Sequence, residues 1–168
     1  MQRGVTLIEL VVYLGILALI GVVAVQLVLS ISFNAAEVQS ERKIISNGEV
    51  AMESLLREIR QAYDLETAAS VFGTDPSTLV LKTFTSPLSQ DITARSFFLS
   101  GESLARQDTG SPAEFITSSD VKVTEFIVWQ NANVASTLIT VKIRVEAGAG
   151  RFKEDKNFYG SAVLRAKY

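Results

Sequence analysis

Residues 10–36 contain no Asp, Glu, Lys or Arg, and one carboxylate, Glu9, stands at the head of this run. An α-helix rises 1.5 Å per residue, so about 20 residues cross the ~30 Å hydrocarbon layer of a bilayer. The run exceeds that length. It is rich in Leu, Val, Ile and Ala and has no proline, and its Gly15 and Gly21 are of a kind common in membrane helices. Gln26, Ser30 and Ser32 thin its far end, which puts the end of the strictly apolar part near Leu29. An ionisable group at the edge of such a segment is costly in lipid unless partnered. The partner of Glu9 is therefore the first question the chain raises.

Two ordinary explanations of the segment fall short. A cleaved secretory signal needs a short apolar core closed by a small-residue cleavage site, and this core is too long and ends in no such site. A plain signal anchor accounts for the length and for Arg3 on the cytoplasmic side. It leaves Glu9 unexplained. If a peptidase cut between Gly4 and Val5, the leader would carry Arg3 away and Val5 would gain a cationic amine. Glu9 lies four residues on, one helical turn away. An amine and a carboxylate at this depth could pair within a chain or between neighbours. A buried unpaired charge costs several kcal/mol, whereas a paired one roughly breaks even.

The stretch Arg3-Gly4-Val5-Thr6-Leu7-Ile8-Glu9-Leu10 resembles the type III signal of type IV pilins and type II secretion pseudopilins. That signal is a basic residue and Gly, usually Phe, then Thr-Leu-(Ile/Leu)-Glu. The resemblance implies that a membrane prepilin peptidase cuts after Gly4 and methylates the Val5 amine. It implies that Glu9 neutralises the amine of an adjacent subunit during filament assembly. Val5 stands where Phe is commoner, and Gln26 sits near where many major pilins carry a kinking proline, so a straighter helix is expected there. The implied partners are other pilins or pseudopilins, the prepilin peptidase, an inner-membrane assembly platform and membrane lipid. The implied location is a single pass in the inner (cytoplasmic) membrane, leader inside and head outside, followed by incorporation into a pilus or pseudopilus. A signal-anchored extracytoplasmic binding domain that never polymerises is the alternative.

Beyond the apolar run, residues 34–65 keep a helical pattern. Val38, Ile45, Met52 and Ile59 recur at sevens, and Leu55, Leu56, Ala62 and Tyr63 widen the stripe. Glu37, Glu41, Glu49, Glu53 and Arg57 occupy the other side at four-residue spacings. Ser46, Asn47 and Gly48 mark a place where the helix is expected to bend. Turn-forming stretches then separate β-branched or alternating runs at residues 78–84, 96–99, 103–107, 121–129, 136–146 and 157–167. Ser100-Gly101-Glu102 reads as a hairpin turn. Strands after one long helix, with no regular helix between them, predict an α+β fold. The helix stripe is expected to cover one face of an antiparallel sheet. The organisation is thus leader 1–4, membrane or filament-core helix 5–33, and extracytoplasmic head 34–168. This layout is similar to pilins. Leu56-Arg57-Glu58-Ile59-Arg60-Gln61-Ala62, Leu104-Ala105-Arg106-Gln107 and Ser161-Ala162-Val163-Leu164-Arg165 are similar to J-type minor pseudopilins and minor pilins, as is the lack of a C-terminal cysteine pair.

Composition narrows the chemistry. Among 168 residues there is no histidine and no cysteine. Histidine triads, thiolate nucleophiles, disulfides and the usual zinc ligand sets are thereby excluded. A net charge of −2 gives no broad attraction to nucleic acid, and the small basic loop of Arg151, Phe152, Lys153 and Lys156 is diluted by Glu154 and Asp155. The acids within residues 108–120 and at 154–155 lie in turn-rich stretches and read as solvated loops; no EF-hand spacing accompanies them. Gly148-Ala149-Gly150-Arg151 lacks the lysine and context of a phosphate loop. Trp129, ending an apolar strand, reads as core or rim. No catalytic set and no cofactor site are expected.

Overall fold

A computed structural model describes residues 6–85, 91–132, 136–150 and 153–164 of the chain. One long N-terminal helix and two antiparallel sheets make an α+β fold. Helix α1 spans Leu7–Gln61 and runs unbroken through Gln26 and Gly48. Contacts divide the chain into two units, Met1–Gln39 and Ser40–Tyr168.

Among its described residues the first unit is Thr6 followed by helix. Every described side chain from Thr6 to Gln39 is exposed. Among them are nineteen large apolar or aromatic side chains between Leu7 and Phe33. At ~1.5 kcal/mol per side chain, leaving these in water forgoes on the order of 30 kcal/mol. That exceeds the whole net stability of an ordinary domain, about 5–15 kcal/mol. The helix is long and apolar enough to cross a membrane.

The second unit holds the strands. β1 (Asp64–Leu65), β2 (Leu79–Phe84), β3 (Ile92–Ser100), β4 (Ser103–Asp108) and β5 (Glu114–Phe115) form one sheet in sequence order. β6 (Lys122–Ala132), β7 (Thr137–Ala147) and β8 (Glu154–Leu164) form a second, three-stranded meander. The expected hairpin closes at Ser100↔Ser103, where Gly101 adopts a φ of 64°. β7 shows why these residues choose strand. Ile139, Val141, Ile143 and Val145 are fully buried, while Thr140, Lys142, Arg144 and Glu146 alternate away from the core.

Several expectations are corrected. The strands form two sheets instead of one, because the free edge of β6 is occupied by loops. Gly73 N–H donates to the Val128 carbonyl (2.8 Å), Ser77 N–H to the Phe126 carbonyl (2.8 Å) and Val123 N–H to the Glu102 carbonyl (2.7 Å). The fully buried Ser77 hydroxyl donates to the Thr74 carbonyl (2.6 Å) and accepts from Val128 N–H (3.0 Å). Second, the helix stops at Gln61, since Tyr63 N–H turns to the Lys82 carbonyl and residues 64–65 pair with β2. Third, β8 begins at Glu154, inside the stretch read as a turn; Arg165 and Lys167 lie outside the described residues. Fourth, the buried helix stripe is Ile44, Gly48, Ala51, Met52, Leu55 and Ile59, continued by Ala62 just past the helix end, with Ile45 half-buried and Val38 exposed. A strict repeat of seven drifts about 20° per heptad against a helix of 3.6 residues per turn, so Ile44 replaces Ile45 on the buried face.

Two glycines set how closely the helix of this unit approaches β8. A Cβ on Gly48 would overlap the Phe158 ring. A Cβ on Gly160 would lie 2.6 Å from Met52 Sδ and 2.8 Å from Leu56 Cδ1. Each glycine makes room for a large side chain of the other element. Gly48 is thus a contact point, not a bend. Asn47 beside it bonds in both directions, donating to the Lys43 carbonyl (3.0 Å) and accepting from Ser118 N–H (2.9 Å). The core continues over both sheets through Leu79, Leu81, Phe97, Leu104 and Phe126.

Candidate functional site

The residues expected to be processed, Gly4 and Val5, lie outside the described residues. Glu9 falls in the first turn of α1. Thr6 precedes the helix and caps it. Its carbonyl accepts from the Glu9 and Leu10 amides (3.1 and 3.2 Å), and its Oγ1 lies 3.4 Å from Glu9 N. A first-turn acid also opposes the positive end of the helix dipole. Thr6-x-x-Glu9 is the spacing of a capping box, in which the glutamate carboxylate would reach back to the Thr6 amide. It does not do so here. Glu9 Oε1 instead accepts a hydrogen bond from the Tyr13 hydroxyl, one turn forward, at 3.1 Å.

Thr6 and Tyr13 are the neighbours of Glu9 that the reading of the sequence passed over. The signals were present: a Thr-x-x-Glu spacing before an apolar run, and a phenol at i+4 from the acid. A carboxylate offers about four acceptor positions over two oxygens. Tyr13 takes one of them. Among the described residues no cation pairs with Glu9. The arrangement holds a carboxylate at the end of an apolar stretch of helix.

In the head, Asp108, Glu114, Asp120 and Asp155, among the acids singled out from the sequence, are engaged in ion pairs. Glu58 of α1, with only 13% of its side chain exposed, meets Arg95 Nη1 at 2.6 Å and Arg106 Nη1 at 3.4 Å. Arg95 also grips Asp108 through two bonds, Nε–Oδ1 (2.6 Å) and Nη2–Oδ2 (2.8 Å), and Arg106 reaches Glu114 at 2.5 Å. The Arg95 hydrogen bonds hold the Asp108 carboxyl below the ordinary carboxylate range. The charges of Arg95 and Arg106 add to this, and partial burial opposes it. Asp120 faces Lys43 at 3.8 Å, Asp155 bonds Arg144 at 2.8 Å, and Lys153 of the small basic loop pairs with Glu146 at 2.9 Å. Arg151 and Phe152 lie outside the described residues. No group of three or more acids that could hold a metal ion occurs among the described residues. Trp129 is 40% exposed, a rim position on the outer face of β6. No family model, no curated protein and no solved structure matches the chain.

Proposed function

We propose that the chain is the precursor of a filament subunit, a minor pilin or pseudopilin of J type. In this reading a prepilin peptidase cuts after Gly4, the Val5 amine is methylated, and the subunit waits in the inner membrane with its β-head outside. Assembly transfers the apolar helix from lipid to neighbouring helices. Lipid is as apolar as leucine, so the transfer itself is nearly neutral, and close packing with charge pairing at Glu9 must direct it. In this reading the head has a structural and not a catalytic role, and its partners are other subunits and an assembly platform.

One observation carries the reading: a single carboxylate, four residues beyond Val5, in the first turn of α1, at the head of a helical stretch whose residues 10–36 carry no other charge. Co-expression with a prepilin peptidase followed by intact mass tests it. The expected product lacks Met1–Gly4, and Gly4→Ala blocks the cut. Glu9→Ala is cut normally but enters filaments poorly. A chain that keeps Met1 in the presence of active peptidase overturns the filament reading in favour of the signal-anchored binding domain.

A further inference from the structure

We propose that Tyr13 is the positioning residue for Glu9, presenting its carboxylate to an ammonium group from a second copy of this chain; this rests on the filament reading. Three observations converge. The Tyr13 hydroxyl donates to Glu9 Oε1 at 3.1 Å. From Leu7 to Val25 these two side chains are the only polar ones. Helix capping is served by Thr6 itself, so the carboxylate is not consumed by its own helix end.

A phenol suits this task for a chemical reason. A lysine or arginine at i+4 would neutralise Glu9 within the chain and leave little for a neighbour. Tyrosine donates one hydrogen bond and carries no charge at ordinary pH. It restricts the glutamate rotamer while leaving the full negative charge and the Oε2 oxygen for a cation. The incoming ammonium then meets a carboxylate already oriented, and less conformational freedom is lost on pairing.

The test uses the full chain, processed and reconstituted in phosphatidylcholine bilayers. With ¹³C-labelled tyrosine, the Tyr13 Cζ resonance, assigned by its loss in Tyr13→Phe, should shift in Glu9→Ala. Association is read by energy transfer between dyes placed at Ser111→Cys, the chain having no native cysteine. Tyr13→Phe should be cleaved normally and should weaken association about tenfold, the worth of one hydrogen bond to a charged group. In the Glu9→Ala background it should change nothing. A Cζ resonance indifferent to Glu9→Ala overturns the proposal, as does an equal loss on Tyr13→Phe in both backgrounds. Failure of the peptidase to cut any version is a failure of the filament reading instead, and the resonance still decides whether Tyr13 holds Glu9.

Discussion

Gly48→Ala sets two effects of opposite sign against each other. Alanine in place of glycine within a helix ordinarily stabilises by about 1 kcal/mol. Here the added methyl overlaps three atoms of the Phe158 ring, and an aromatic ring cannot yield by bending. Phe158 is partly buried and packs against the core, so displacing it also uncovers apolar surface. Overpacking of this kind costs about 1–3 kcal/mol, and the depth of the overlap argues for the upper end. The expected net loss is about 2 kcal/mol, or about 8 °C in Tm for a head of this size. Trp129 is the only tryptophan and lies on β6, so urea unfolding followed by its fluorescence in detergent micelles reports on the head. In a Phe158→Ala background the same substitution should turn stabilising by about 1 kcal/mol, giving a coupling near 3 kcal/mol. A higher urea midpoint for Gly48→Ala with Phe158 intact, or simple additivity of the two changes, would refute the close-approach argument.

Asp108 makes the head sensitive to acid. Its carboxyl ionises more readily folded than unfolded, so its contribution is complete above about pH 3.9 and fades as pH falls through the lower folded value. Asp108→Asn should therefore lower the urea midpoint at pH 7 and shrink the further drop between pH 4 and pH 2; an unchanged drop would count against Arg95 as the cause. Ser77→Ala removes a fully buried hydroxyl that both donates and accepts, and leaves the Val128 amide without that acceptor. The expected loss is about 1–3 kcal/mol in the same unfolding assay, and a neutral result would mean that water or a shifted loop replaces the bond.

The α+β class was legible because long periodic segments dominate the chain. An uncharged run of helical length and the β-branched strands of the meander leave few alternatives. The division into two sheets was not legible, since it depends on Gly73 and Ser77 bonding to a strand about fifty residues away, and no local pattern encodes such a contact. The turn-forming character of residues 73–76 was visible, but its destination was not. The exchange of Ile45 for Ile44 shows the limit of counting in sevens on a straight helix. At the candidate site, Glu9 stood out by isolation alone. Tyr13 did not, because a tyrosine within an apolar run reads first as one more large side chain. Its role appears only when the hydroxyl is placed one turn above the acid. Gly48 was noticed for the wrong reason: glycine in a helix suggests flexibility, whereas its use depends on what lies opposite, and Phe158 is 110 positions further along.

That separation has a bearing on biogenesis. The ribosome finishes the head's portion of the helix long before it reaches the strand that covers it. At ~5–20 residues per second, Gly48 precedes Phe158 by on the order of ten seconds. Throughout that interval Gly48, Met52 and Leu56 have no β8 to lie against. The nascent chain therefore emerges with the strand-facing side of this part of the helix bare, and whatever escorts it must stay until β8 has been made.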